Sequence, residues 1–74
     1  NFEVADPLAE IEKAAAAYAG HDQDRLDGLT VDLGDWWFNL RASNTEPLLR
    51  LNLEAPDQAS CSERVAEVRA HLGV

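Results

Sequence analysis

Basic side chains are scarce. The chain carries six Lys and Arg against fourteen Asp and Glu, a formal net charge of −8, whereas nucleic-acid backbones are held by Lys and Arg that release counterions. The balance therefore argues against general binding to DNA or RNA, and an acidic membrane surface is disfavoured on the same ground. Cysteine is nearly lacking: Cys61 alone cannot close an internal disulfide, which argues against a stapled secreted module and for a reducing cytoplasm. No apolar run approaches the roughly 18 residues of a membrane span, and no charged start followed by an apolar stretch marks a signal peptide. There is no initiator Met, and the opening residues, NFEV, read as the middle of a strand. The expectation is a domain cut from a longer protein.

What is present suffices for a fold. The chain is 46% hydrophobic, with two Trp, two Phe and one Tyr among 74 residues, too apolar for a disordered tail. A chain of this length buries only about 60% of the surface it exposes when unfolded. One domain, residues 1–74, with one modest core is expected, free of repeats, low-complexity segments and linkers.

Periodicity sets out the elements. After NFEV, Asp6 and Pro7 form a helix start, a carboxylate cap followed by the residue whose missing N–H costs nothing in the first turn. Leu8, Ile11, Ala15 and Tyr18 then share one stripe, and Gly20 is the expected stop. Residues 21–28, HDQDRLDG, are polar and end in Asp27–Gly28, which reads as a turn. From Leu29 the period changes to two: Leu29, Val31 and Leu33 alternate with polar residues up to a hairpin turn at Gly34–Asp35. Trp36 to Arg41 is the next strand, with Trp36, Phe38 and Leu40 facing one way and Trp37, Asn39 and Arg41 the other. The strand after the following turn directs Leu49, Leu51 and Leu53 to one face and Leu48, Arg50, Asn52 and Glu54 to the opposite one. Pro56 and Asp57 end it. A second helix follows, with Ala59, Cys61, Val65, Val68 and Leu72 on its apolar side and Gly73 as its close; Ser60 and Glu63 offer an alternative capping box at its start. The order β-α-β-β-β-α describes an α+β domain, a four-stranded antiparallel sheet with two helices packed on one face.

The chemistry gathers in RASNTEP, residues 41–47. A phosphate group needs several donors converging from different directions, preferably including a guanidinium whose planar fork meets two oxygens. Arg41, the Ser43 and Thr45 hydroxyls, the Asn44 amide and the N–H groups of the turn supply that set, and such turns form anion-binding concavities. On spacing alone the commoner outcome is a plain hairpin turn with Arg41 paired to an acidic neighbour such as Glu46, because short motifs match by chance often.

The stretch RASNTEPLLRLNLEA, residues 41–55, resembles the phosphate-binding loop and following strand of the C-terminal domain, domain 4, of the α-D-phosphohexomutases. The preceding DGLTVDLGDWWFNL resembles that family's hairpin before the loop, and the resemblance covers essentially the whole chain. It implies a TATA-box-binding-protein-like fold and a domain that closes over a four-domain active-site cleft. It implies that Arg41, Ser43, Asn44 and Thr45 contact the phosphate of a phosphosugar, with Glu46 and Pro47 shaping the loop. Phosphoglucosamine mutases more often carry Gly where this chain has Asn44, which favours the phosphomannomutase/phosphoglucomutase branch without choosing between mannose and glucose phosphates.

By the same resemblance, the phosphoserine, the Mg²⁺-binding aspartates and the sugar-recognition loop belong to the other three domains. The chain alone is expected to hold no catalytic residue, metal or cofactor and to be inert. The full-length enzyme is expected to use Mg²⁺ and a hexose 1,6-bisphosphate intermediate to interconvert hexose 1-phosphate and hexose 6-phosphate. The alternative reading is a small non-catalytic interaction module that binds a protein through the sheet face around Trp37 and Leu48.

The remaining chemistry-bearing residues read as scaffold. Asp22, Asp24 and Asp27 have the wrong spacing for a calcium loop. His21 and His71 have no partner at ligand spacing. Cys61, on an apolar helix side, reads as a buried inert thiol, and Trp36 is expected to fill the core.

Overall fold

A computed structural model of the chain describes residues 1–73. Strand β1 (Phe2–Glu3) leads into helix α1 (Pro7–Ala17); β2 (Asp22–Asp24), β3 (Leu29–Asp32), β4 (Trp37–Ala42) and β5 (Leu48–Glu54) follow, and helix α2 (Gln58–Leu72) ends the series. The α+β class and the two helices match expectation, but the antiparallel sheet has five strands in the order β1-β5-β4-β3-β2, not four. The added strand is β2, inside the segment expected to be only a turn. Its residues pair with β3 as Asp22 with Asp32, Gln23 with Val31 and Asp24 with Thr30. It escapes periodicity because it is short, charged and on an edge, where exposed carboxylates also discourage further strand addition.

Gln23 explains why so polar a segment pairs at all. Its inward-facing amide donates to the Ala15 carbonyl at 3.0 Å and to the Tyr18 carbonyl at 2.9 Å, two carbonyls at the end of α1, where helical acceptors lack partners within the helix. The helix stops at Ala17, before the expected Gly20. At its other end Asp6 caps the Ala9 N–H at 3.2 Å with Pro7 next. Asp57 caps α2 through the Ser60 N–H at 2.7 Å, and Gly73, left-handed at φ 74°, closes it by donating to Arg69 and Ala70 carbonyls. Asp57 thus starts the helix one turn ahead of the alternative box at Ser60.

One sheet face supplies the core. Leu29, Val31, Phe38, Leu40 and Leu49 are buried there beneath Ile11 and Ala14 of α1, Tyr18 at its C-cap, and Val68 and Leu72 of α2. Each Val, Leu, Ile or Phe side chain among them contributes about 1.5–3 kcal/mol. β4 begins one residue later than expected, yet Trp36 remains in the core and Trp37 turns to the open face, 38% exposed. Tyr18 meets Phe38 edge-on at 5.2 Å and Trp36 at 6.0 Å, and its hydroxyl donates to Glu67 at 2.6 Å. Arg64 pairs with that carboxylate at 2.8 Å and lies 5.1 Å over the Trp36 ring, fastening α2 to α1 and the sheet.

Four helix positions depart from the expected stripes. Leu8 is 69% exposed, while Ala14 takes a buried place; the first turn of α1 overhangs a cleft rather than the core. On α2, Ala59 is exposed and Cys61 only half-buried, because the helix makes its deep contacts near its C-terminal half.

Candidate functional site

Antiparallel pairing brings separate segments to one end of the sheet. The β2–β3 turn and the β4–β5 loop lie there, and so does the start of α1, since β1 runs toward the loop with Glu3 opposite Leu48. They enclose a cleft of about 620 Å³ lined by Leu8 and Ile11 of α1, Asp27 and Gly28 of the turn, residues 41–45, and Arg50. All four residues expected to meet phosphate, Arg41, Ser43, Asn44 and Thr45, line this one cleft.

The loop is held by backbone hydrogen bonds that leave its side chains available. The Ser43 N–H donates to the Leu48 carbonyl at 3.0 Å, and Leu48 N–H to the Glu46 carbonyl at 2.8 Å. Val4 N–H reaches the Pro47 carbonyl at 3.0 Å, tying β1 to the loop. The Ser43 hydroxyl accepts from the Thr45 N–H at 3.3 Å, a short polar turn. Ser43 is half-buried, and Asn44 and Thr45 are exposed, so their donors face solvent.

Arg41 is paired, although not with Glu46. Its Nη1 donates to Asp27 Oδ2 at 3.0 Å, across 14 residues of sequence. The turn partner is reached through the sheet, a contact that local spacing does not reveal. One carboxylate engages one end of the guanidinium, whose five N–H groups leave further donors for a second acceptor.

Arg50 is the residue that the sequence reading left without a role. It sits directly opposite Arg41 in the β4–β5 register and lines the same cleft. Like charges directly opposed on a sheet are destabilising, so the pair is costly unless an anion lies between them. The signal was available in strand parity: Arg41 and Arg50 fall on the same outward face on either side of the loop. Two guanidiniums against one Asp27 carboxylate give the cleft a local positive balance in a chain of net charge −8.

The groups with displaced titration belong to the scaffold. The Arg25 guanidinium, hydrogen-bonded to Glu12, holds that carboxyl below its ordinary range. Burial, reinforced by the bond to Glu67, raises the Tyr18 phenol, and the same bond lowers Glu67. Among the described residues no three His, Cys, Asp or Glu side chains converge into a metal-binding group, and the cleft's guanidinium, hydroxyl and amide donors do not suit Mg²⁺. Nor is any helix among these residues long and apolar enough to cross a membrane.

A second, shallower cleft of about 480 Å³ lies on the open sheet face beside Trp37, Asn39, Asn52 and Glu54. Trp37 Nε1 donates to Glu54 at 3.1 Å, and Asn39 Nδ2 to the Asp27 carbonyl at 2.7 Å and the Thr30 hydroxyl at 3.1 Å. Its polar groups are largely engaged with one another.

Residues 1–71 match the family described as phosphoglucomutase/phosphomannomutase, C-terminal domain. The chain is 45% identical over 69 residues to a phosphomannomutase of Methanocaldococcus jannaschii, covering 93% of this chain and 15% of the relative. It is 46% identical over 65 residues to a protein of Xanthomonas campestris pv. campestris named phosphohexose mutases, covering 85% and 14%. To a phosphomannomutase of Salmonella typhimurium it is 49% identical over 57 residues, covering 74% and 12%. The chain thus spans about a seventh of the length of these relatives.

Proposed function

The chain belongs to the phosphoglucomutase/phosphomannomutase C-terminal domain family, and from that premise we propose that it grips the phosphate of a phosphosugar within a longer, four-domain phosphohexomutase. Arg41 supplies the guanidinium fork, Ser43, Asn44 and Thr45 the neutral donors, and Arg50 a second cation, while Glu46 and Pro47 shape the loop through their carbonyls. The observation that carries the reading is the convergence of these donors on one cleft in an otherwise acidic chain.

The parent enzyme interconverts hexose 1-phosphate and hexose 6-phosphate, with mannose or glucose phosphates as substrate class, in the cytoplasm. The transfer is the work of the other domains, and Mg²⁺ bound there would supply charge stabilisation at the transferring group. This chain holds the phosphate that is not reacting, orients the sugar and shields the cleft as the domain closes, effects that act through positioning and electrostatics. Hydroxyl and amide donors beside a fork suit a site that must accept the phosphate in either orientation of the substrate. The interaction-module alternative has less support, since the open face offers mutually bonded polar side chains around Trp37 rather than a continuous apolar patch.

Substitution Arg41→Ala in the full-length enzyme tests the reading. Charge-assisted hydrogen bonds contribute about 1.5–3 kcal/mol, so kcat/KM for mannose 1-phosphate should fall by about 10- to 150-fold while the melting temperature stays within a few degrees. Wild-type kinetics in that variant would remove Arg41 from the site.

A further inference from the structure

Asp27 and Gly28 precede Arg41 by more than a dozen residues, yet they touch it at both ends of its side chain. Gly28 has φ +71°, and a Cβ there would lie 2.3 Å from the Leu40 carbonyl oxygen and 2.7 Å from Arg41 Cγ. The stem of Arg41 therefore rests against a bare Cα, in a space that any side chain would fill. At the far end, Asp27 Oδ2 accepts from Arg41 Nη1 at 3.0 Å. The turn is in turn pinned to β4, the strand carrying Arg41, because Asn39 Nδ2 donates to the Asp27 carbonyl at 2.7 Å.

The ion pair has little to do with stability. The Arg41 and Asp27 side chains are 41% and 75% exposed, and exposed pairs contribute little to folding. Its consequence is directional: the contact at Nη1 biases the guanidinium toward one orientation and leaves its remaining N–H groups for a second acceptor. Repulsion between Asp27 and a bound anion is reduced by solvent screening at so exposed a carboxylate, and Arg50 lines the same cleft from the opposing strand.

We infer that Asp27 and Gly28 are positioning residues for the phosphate grip, Gly28 by leaving room for the Arg41 stem and Asp27 by fixing the orientation of its guanidinium toward a phosphate monoester. The inference rests on the proposed phosphate role of Arg41. For Asp27, whose side chain is exposed, it predicts a defect in substrate capture rather than in folding or transfer.

The test uses the full-length enzyme with mannose 1-phosphate and glucose 1-phosphate, comparing Arg41→Ala, Asp27→Asn, Asp27→Glu and Gly28→Ala. Asp27→Asn should raise KM about 5- to 20-fold, the scale of one weakened hydrogen bond to a charged group, with kcat within about twofold and an unchanged melting temperature. Asp27→Glu should recover most of that loss. Gly28→Ala should raise KM at least as much; if it does not fold, the two Asp27 variants decide. An Asp27→Asn enzyme with wild-type or lower KM, or with lowered kcat at constant KM, overturns the positioning role while a damaged Arg41→Ala enzyme keeps the phosphate reading. An undamaged Arg41→Ala enzyme overturns both.

Discussion

Replacing Arg50 with glutamine should move stability and phosphosugar use in opposite directions. In the sheet Arg50 faces Arg41 directly, so their Cβ atoms lie about 4.5–5.5 Å apart and the like charges cost about 0.2–1 kcal/mol. Asp27 relieves part of this by pairing with Arg41, which places the net gain from removing Arg50 at a few tenths of a kcal/mol. For a domain of this size, that corresponds to a rise in melting temperature of about 1–4 °C. With phosphate bound the sign reverses, because the glutamine replaces a charge-assisted contact of about 1.5–3 kcal/mol with a neutral one of roughly half that strength. In the full-length enzyme kcat/KM for mannose 1-phosphate should then drop by about 3- to 15-fold. Thermal unfolding of the 74-residue chain gives the first quantity and steady-state kinetics the second. A variant that loses stability without losing activity would show Arg50 to be scaffold and would refute the argument.

Two further perturbations probe the elements that hold the cleft in place. Gln23→Ala removes both side-chain bonds to the end of α1, a loss of about 1–2 kcal/mol for two partly exposed hydrogen bonds, and amide exchange should quicken first in β2; uniform exchange across the sheet would argue that β2 is held by its strand pairing alone. Asp57 accepts the Ser60 N–H, which holds its carboxyl below the ordinary value of 3.8. Its folded value is thus depressed, so its stabilisation is present above the unfolded value and is lost as pH falls through the folded one. Asp57→Asn should accordingly flatten the stability profile below about pH 4 while retaining a cap, and an unaltered acid limb in chemical unfolding would contradict the assignment.

The elements that could be read from sequence are those with a period or a cap. Helix α1 announces itself by Asp6–Pro7 and the spacing of Ile11 and Tyr18, and the buried faces of β3, β4 and β5 follow from alternate apolar residues. β2 has neither signal. Its one inward residue is a glutamine whose value lies in two carbonyls of α1, a tertiary contact with no local pattern. Leu8 misleads in the opposite way: it keeps the helical period but lies at the first turn of α1, beside the cleft, where it is 69% exposed.

The same distinction governs the site. Arg41 and the polar turn after it are contiguous, so their donor chemistry could be read directly. Asp27, Gly28 and Arg50 join them only once β3, β4 and β5 are in register, since the sheet converts separations of 9 to 14 residues into direct contact or opposition. That dependence also explains how the proposed anion site can exist in so acidic a chain. Exposed charges are screened beyond about 8–10 Å, whereas the sheet places two arginines and the neutral donors on one cleft and allows one carboxylate among them. In open solvent such a cleft binds weakly, because water competes for every donor and the Coulomb gain is only about 1 kcal/mol per charge pair at 4 Å. On the proposed reading, closure against the other domains lowers the local dielectric and strengthens those same contacts, so that substrate capture and domain closure reinforce each other. A full-length enzyme locked open should therefore bind phosphosugar with little more affinity than inorganic phosphate, while one free to close should discriminate strongly between them.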